Sequence, residues 1–153
     1  MCGIFAILNN TSFSQPYLQS QFDLGKSRGP ENSKFQKINN IYFGFHRLAI
    51  NGLDSNSNQP LEFEDCILIC NGEIYNYKKL YAMFNITPNT MSDCEIIIHL
   101  YKKYGPKQTL QMLDGVLAFI LYDKENDSIF IARDSLGVRP MFIWESKDIT
   151  DNT

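Results

Sequence analysis

The second residue of the chain is a cysteine, in the motif Met1-Cys2-Gly3-Ile4-Phe5. A small residue at this position permits removal of Met1, so we expect Cys2 to become the mature N-terminus and to carry both a thiol and a free α-amine. Such an amine has an ordinary pKa of about 7.7–8.0 and can accept the thiol proton near neutral pH. The alternative is that Cys2 is a small apolar residue that opens a buried strand.

Four further motifs carry polar groups that could grip a small molecule. They are Arg47-Leu48-Ala49-Ile50-Asn51, Asn71-Gly72-Glu73-Ile74-Tyr75-Asn76, Ser92-Asp93-Cys94-Glu95 and residues 133–140. Asn71 and Gly72 could stabilise an oxyanion, although Asn-Gly also forms hairpin turns. The planar fork of Arg47 suits a carboxylate, as it would suit a surface ion pair. Asp93 and Glu73 could bind an ammonium group, or Asp93 could simply favour a helix N-terminus. With the thiol, this set predicts attack on the side-chain amide of a free amino acid.

The elements that must position these residues follow from hydrophobic periodicity and turn signals. Strands are predicted at 3–8, 41–50, 66–70, 116–122, 128–132 and 140–144, and helices at 16–26, 76–84, 92–104 and 106–113. A turn is predicted at Asn71-Gly72, and a capping box, Ser92 to Glu95, is predicted to open the third helix. Strands at both ends that enclose a helical middle predict an α+β layered fold rather than a doubly wound one.

Composition limits the classes of function. The 153 residues suit one domain, 1–153, with 44% hydrophobic and 20% charged residues. A net charge of −3 with no Lys/Arg block argues against nucleic acid and anionic membranes as partners. No apolar run is long enough to cross a bilayer and no signal peptide is visible, so we expect a cytoplasmic protein. The four cysteines show no disulfide framework; Cys66 and Cys70 suit core packing, and with only two histidines we expect no metal site.

Eight motifs occur together in the order of a known family. They are Met1-Cys2-Gly3-Ile4-Phe5, Arg28-Gly29-Pro30, Phe45-His46-Arg47-Leu48-Ala49-Ile50, Gln59-Pro60, Asn71-Gly72-Glu73-Ile74-Tyr75-Asn76, Asp93-Cys94-Glu95-Ile96-Ile97, residues 112–119 and residues 133–140. From Cys2 to Phe142 the chain resembles the N-terminal glutaminase domain of glutamine-hydrolysing asparagine synthetase, a class II glutamine amidotransferase. The resemblance implies an N-terminal-nucleophile hydrolase fold, an αββα sandwich of two mostly antiparallel sheets between helical layers.

The resemblance also implies roles for individual residues. Cys2 would attack the side-chain amide of L-glutamine, with its own α-amine as the base, and Asn71 and Gly72 would stabilise the oxyanion. Arg47 would bind the substrate α-carboxylate, and Asp93 and Glu73 its α-ammonium group. The backbone of the following segment would line the pocket: Leu48, Ala49, Ile50 and Asn51.

The chain departs from the family pattern in two places. The usual Arg-His-Arg-Gly-Pro-Asp loop reads Lys26-Ser27-Arg28-Gly29-Pro30-Glu31 here. The family domain also continues beyond the position of Thr153, so we expect a C-terminally truncated domain. The ATP- and magnesium-dependent synthetase domain would then lie in a separate synthetase chain, or this chain would be an expressed part or remnant of a longer protein. This domain would need no cofactor of its own. The oligomeric state stays open.

Two other interpretations are compatible with the sequence. The chain could be a non-catalytic truncated remnant, or a regulatory binding protein with the same fold. It could also be another class II amidotransferase, such as a phosphoribosyl or glucosamine-phosphate enzyme. The strings His46-Arg47-Leu48 and Ile74-Tyr75-Asn76 argue against that second interpretation.

Overall fold

Alternating apolar strands and amphipathic helices form ten regular elements in the described part of the chain. The structure, a computed structural model, describes residues 2–145, so the expected removal of Met1 lies outside the described residues. The elements are β1 (Gly3–Ile7), α1 (Gln15–Asp23), β2 (Asn32–Ile38), β3 (Ile41–Arg47), β4 (Leu61–Phe63), β5 (Cys66–Ile74), α2 (Tyr77–Phe84), α3 (Ile96–Met112), β6 (Gly115–Asp123) and β7 (Ser128–Arg133).

The strands form two antiparallel sheets that face each other. The first has the order β1-β3-β2 and the second the order β4-β5-β6-β7. Because successive side chains of a strand point to opposite faces, β5 contributes to two cores. Ile67 and Ile69 pack between the sheets, whereas Leu68 and Cys70 pack under the helices. The two faces of β5 are therefore both buried.

Helices cover the outer face of each sheet. On the first sheet, α1 lies so close to β3 that a Cβ on Gly44 would be 2.5 Å from the ring of Phe22. On the second, α3 buries Ile96, Ile97 and Leu100 completely. The order helix, sheet, sheet, helices confirms the predicted α+β sandwich of two antiparallel sheets between helical layers.

His46 fastens α1 to the first sheet. Its ring stacks on Phe22 with centroids 3.9 Å apart, and its Nε2 lies 2.8 Å from the Phe22 carbonyl oxygen. Since a carbonyl can only accept, Nε2 carries a proton, and Nδ1 lies 2.7 Å from the hydroxyl of Ser33. His46 therefore holds β2, β3 and α1 together and points away from solvent.

The predicted turn at Asn71-Gly72 is wrong. Both residues lie inside β5, which runs from Cys66 to Ile74 and pairs with β6 over its whole length. The local Asn-Gly preference is overridden because β6 supplies a ladder partner for every residue of β5. Tertiary pairing, which has no local sequence signal, decides this conformation.

Other element predictions differ at their ends or fail. The strand expected at 41–50 ends at Arg47, and β2 and β4 had not been predicted. Residues 140–144 do not form the expected strand. Phe142 and Trp144 are exposed there, because no neighbouring strand in residues 2–145 pairs with this segment.

The start of α3 follows the predicted capping box only in part. Ser92 Oγ accepts the N–H of Cys94 at 3.3 Å, as an N-cap does. Glu95 instead accepts the N–H groups of Asn89 and Thr90, at 2.7 and 2.6 Å, and contacts His99 at 2.9 Å. The backbone of α3 is not helical at Gly105, where φ is +74°, so the break predicted between two helices at this glycine is present within α3.

Candidate active site

A cleft of about 480 Å³ opens where the start of β1, the end of β3 and the edge of β5 meet. Nine of the ten predicted site residues line it: Cys2, Arg47, Leu48, Ala49, Ile50, Asn51, Asn71, Gly72 and Asp93. The tenth, Glu73, does not.

The Cys2 sulfur is held at the cleft by the backbone of Leu48. Sγ lies 3.3 Å from the Leu48 carbonyl oxygen and accepts the Leu48 N–H at 3.4 Å. Burial raises the pKa of the Cys2 thiol, and the Leu48 N–H offsets this only in part. The thiol is therefore protonated at neutral pH and needs a base. Within residues 2–145, neither an imidazole nor a carboxylate hydrogen-bonds to this sulfur.

The loop that departs from the family pattern supports the wall of the cleft. Gly29 lies against β3 so closely that a Cβ there would be 2.3 Å from the His46 backbone. Glu31 then accepts the backbone N–H of Ala49 through Oε2 at 3.1 Å. The carboxylate of Glu31 thus fixes the segment that contacts the Cys2 sulfur.

Arg47 is buried, with 8% of its surface exposed, and is oriented by the loop that follows β3. Its Nη1 donates to the Asp54 carbonyl oxygen at 3.2 Å and to Asn58 Oδ1 at 2.6 Å, and its Nη2 donates to the Gly52 carbonyl oxygen. These bonds use three of the five N–H donors of a guanidinium. Two remain available to a ligand carboxylate in the cleft.

Asp93 is a buried carboxylate at the opposite wall. Its Oδ2 accepts the N–H of Ile74 at 2.6 Å. Burial raises the pKa of Asp93; the Ile74 N–H and the Asn51 side chain lower it, and the charge of Glu73 raises it further. A cation bound in the cleft would stabilise the ionised form of Asp93, which burial disfavours.

Asn71 points its side chain toward the space between the sheets. It is 5% exposed and lines the cleft, yet its carboxamide has no hydrogen bond to any other residue in the range 2–145. The amide atoms stay accessible from the cleft, since they are not among the fully buried polar atoms without a partner in residues 2–145. The Asn71 side chain is therefore placed to donate to a molecule in the cleft.

The N–H of Gly72 points to the edge of β5 that faces away from β6 and borders the cleft. Gly72 lies opposite Leu117 on β6, but the N–H and C=O of Leu117 bond to Asp134, on the far side. In an antiparallel ladder such a pair exchanges no hydrogen bonds, so the backbone groups of Gly72 face away from β6. A Cβ at Gly72 would be 2.7 Å from the Val116 carbonyl oxygen, and this close approach of β6 explains why the position is a glycine.

Glu73 lies beside the cleft rather than in it. It follows Gly72 on the strand, is half-buried, and affects the cleft through its charge on Asp93. Its direct contact with an ammonium group stays a prediction.

Sequence reasoning assigned no role to several residues that build the cleft. Asp54 and Asn58 orient Arg47, and Gln59 binds the backbone of Cys70. Arg139 also lines the cleft. The Gln59-Pro60 motif was visible in the sequence as part of the family pattern, but the acceptors for Arg47 lie in a polar loop without a periodic signal.

Cys66, Cys70 and Cys94 are buried in the core under the helices, as core packing predicts for the first two. Within residues 2–145, no three His, Cys, Asp or Glu side chains come together as a metal-binding group. None of the helices in that range has the length and apolarity needed to span a bilayer.

The sequence is similar to those of known proteins. Residues 1–150 match the family model of the glutamine amidotransferase domain. The chain is 42% identical over 159 residues to the glutamine-hydrolyzing asparagine synthetase of Gallus gallus, which covers 99% of this chain and 27% of the relative. It is 43% identical to that of Bos taurus and 42% identical to that of Homo sapiens, each over 97% of this chain and 27% of the relative.

The chain thus spans about a quarter of the length of the curated relatives that it matches. The family match covers nearly the whole sequence, including the cleft described above. The chain belongs to the glutamine amidotransferase family.

Proposed function

We propose that this chain hydrolyses L-glutamine to glutamate and ammonia through a thioester on Cys2. The observation that carries the proposal is the convergence in one cleft of a thiol, two oxyanion donors, a guanidinium and a carboxylate. The curated relatives are named glutamine-hydrolyzing asparagine synthetases, which supports glutamine as the substrate.

Arg47 and Asp93 provide the two charges that a free α-amino acid requires. The two remaining N–H donors of Arg47 bind the α-carboxylate, and Asp93 binds the α-ammonium group. Because both side chains are buried and held by other residues, little ordering is needed on binding. The side-chain carboxamide of glutamine then extends toward the sulfur of Cys2.

The sulfur adds to the carboxamide carbon while the α-amine of a processed Cys2 takes the thiol proton. The negative charge that develops on the carboxamide oxygen is stabilised by the Asn71 side chain and the Gly72 N–H. The amine passes the proton to the departing nitrogen, which leaves as ammonia. Water then attacks the thioester, releasing glutamate and regenerating the thiol.

We propose that the ammonia serves asparagine synthesis from aspartate. That step would need the ATP- and magnesium-dependent synthetase part, in a longer chain or in a separate partner, and no cofactor in this domain. A single domain over 1–153 and a cytoplasmic location stay predictions.

Ammonia release from glutamine by the purified protein tests the proposal. Cys2→Ala should reduce the rate to background, whereas Cys66→Ala, at a core thiol away from the cleft, should retain activity. Intact mass reports whether Met1 is removed, since a retained methionine blocks the amine and should cost about 10²–10⁴ in rate. A processed and folded protein with no activity above Cys2→Ala contradicts the proposal and favours a non-catalytic binding protein.

A further inference from the structure

Gln59 is a buried carboxamide with both ends bound to one residue of β5. Its Nε2 donates to the Cys70 carbonyl oxygen at 3.1 Å, and its Oε1 accepts the Cys70 N–H at 2.5 Å. Only 5% of its surface is exposed. The side chain thus reproduces the pair of hydrogen bonds that a neighbouring strand would make with Cys70.

The neighbouring strand ends just short of that position. β4 pairs with β5 from Phe63 opposite Cys66 to Leu61 opposite Leu68, and no further. Without Gln59, the N–H and C=O of Cys70 would lie unpaired at a buried edge, which is costly. The Gln59 carboxamide therefore continues the hydrogen bonding between β4 and β5 by one further residue of β5.

Alternate residues of a strand direct their backbone groups to the same edge. Cys70, Gly72 and Ile74 share the edge that faces the cleft. Gln59 satisfies the first, and Asp93 accepts the N–H of the third at 2.6 Å. Gly72, the middle residue, is thus held between two fixed points with its N–H directed into the cleft.

We propose that Gln59 is a positioning residue for the oxyanion hole, acting through Cys70 on the N–H of Gly72; this inference rests on the proposed glutamine hydrolysis. An oxyanion donor works only within about 2.7–3.1 Å of the developing charge. Gln59 holds the backbone of β5 at Cys70, two residues before Gly72. Asp93 holds it at Ile74, two residues after Gly72. Gln59 itself does not contact the reacting atoms.

The first test is Gln59→Leu, with glutamine kinetics in the full chain. Because loss of one oxyanion donor typically costs about 10²–10³ in kcat, we expect displacement of this donor to lower kcat by about 10–100-fold. The KM for glutamine should stay within about threefold, since Arg47 and Asp93 are unchanged. The matched control is Asn10→Leu. Asn10 likewise binds both the N–H and the C=O of Phe13 but does not line the cleft, so its loss should leave kcat unchanged.

Gln59→Glu separates positioning from general destabilisation. A protonated glutamic acid can still donate to the Cys70 carbonyl and accept its N–H, but an ionised one repels the carbonyl. The kcat of Gln59→Glu relative to wild type should fall as pH rises through the pKa of the new carboxyl, while the ratio for Gln59→Leu stays flat. The cleft's own ionisable groups are common to both proteins and cancel in the ratio: Cys2, Arg47, Cys70, Asp93, Cys94 and Arg139.

Amide hydrogen exchange tests the geometry even in a protein without activity. In the wild type the Cys70 N–H should exchange slowly, and in a folded Gln59→Leu it should exchange at least about tenfold faster, while the paired amides of β6 stay protected. Unchanged Cys70 exchange, or equal changes in kcat for Gln59→Leu and Asn10→Leu, overturns the proposal. An inactive wild type with the expected exchange pattern overturns only the proposed hydrolysis.

Discussion

Replacing Gly72 with alanine tests both the spacing of β5 and β6 and the oxyanion donor. The new Cβ would lie 2.7 Å from the Val116 carbonyl oxygen, 2.9 Å from Leu117 Cα and 3.0 Å from Leu117 Cβ. The two closest atoms belong to the backbone of β6, where Leu117 is held on its other side by two hydrogen bonds to Asp134. The clash cannot be relieved by a rotamer change, so the strands must separate.

Two opposing terms decide the sign of the stability change. Replacing glycine in a strand by alanine gains about 0.5–1 kcal/mol through chain entropy. Overpacking a tight site costs about 1–3 kcal/mol. The clash therefore dominates, and we expect a net loss of about 1–2 kcal/mol in the free energy of unfolding.

Urea unfolding measures the stability change, and ammonia release at saturating glutamine measures the effect on the donor. We expect kcat to fall by about tenfold or more, since the Gly72 N–H moves with its strand. Gly3→Ala is the control for stability, because its Cβ meets only side-chain atoms, at 3.2–3.5 Å. If Gly72→Ala is as stable as wild type and keeps its kcat, both the close strand approach and the role of the N–H are refuted.

Three further predictions concern charged groups. A lysine at position 47 cannot both bind the loop acceptors and present a planar fork to a carboxylate. Arg47→Lys should therefore raise the KM for glutamine by about 10–100-fold with kcat nearly unchanged, measured by steady-state kinetics. Because burial raises the pKa of Asp93, the KM should rise as pH falls through mildly acidic values, and Asp93→Asn should raise KM at neutral pH and remove that dependence. Burial alone would raise the pKa of Glu95, but hydrogen bonds from His99, Asn89 and Thr90 lower it to about 2 from 4.5. Glu95 should therefore contribute about 3 kcal/mol of stability above pH 4.5, lost as pH falls toward 2, and acid unfolding of Glu95→Gln should lack that component.

The sequence predicted the layers of the fold and most of the cleft because their signals are local. Alternation in β3, continuous apolar runs in β5 and β6, helical spacing in α3 and motifs at strand ends are all readable over a few residues. The break at Gly105 was also predicted, since glycine and proline follow one another there.

What the sequence could not predict depends on partners distant along the chain. Asn71-Gly72 was expected to turn, and only pairing with β6 keeps it extended. The strand predicted at 140–144 has no partner in residues 2–145, and the exposed or short strands β2 and β4 lack a clear alternation. The acceptors for Arg47 arise from the shape of a loop, which has no periodic signal.

The two halves of the cleft differ in how they are anchored. In the wild type, β5 pairs with β6 over nine residues, has a core on each face and is held at its free edge by Gln59 and Asp93, so its donors should stay in place until the domain melts. The loop that orients Arg47, residues 51–58, has a single buried residue, Ser57. Warming should therefore weaken the binding of glutamine well below the melting temperature. Bound glutamine should continue to be hydrolysed until the whole chain unfolds.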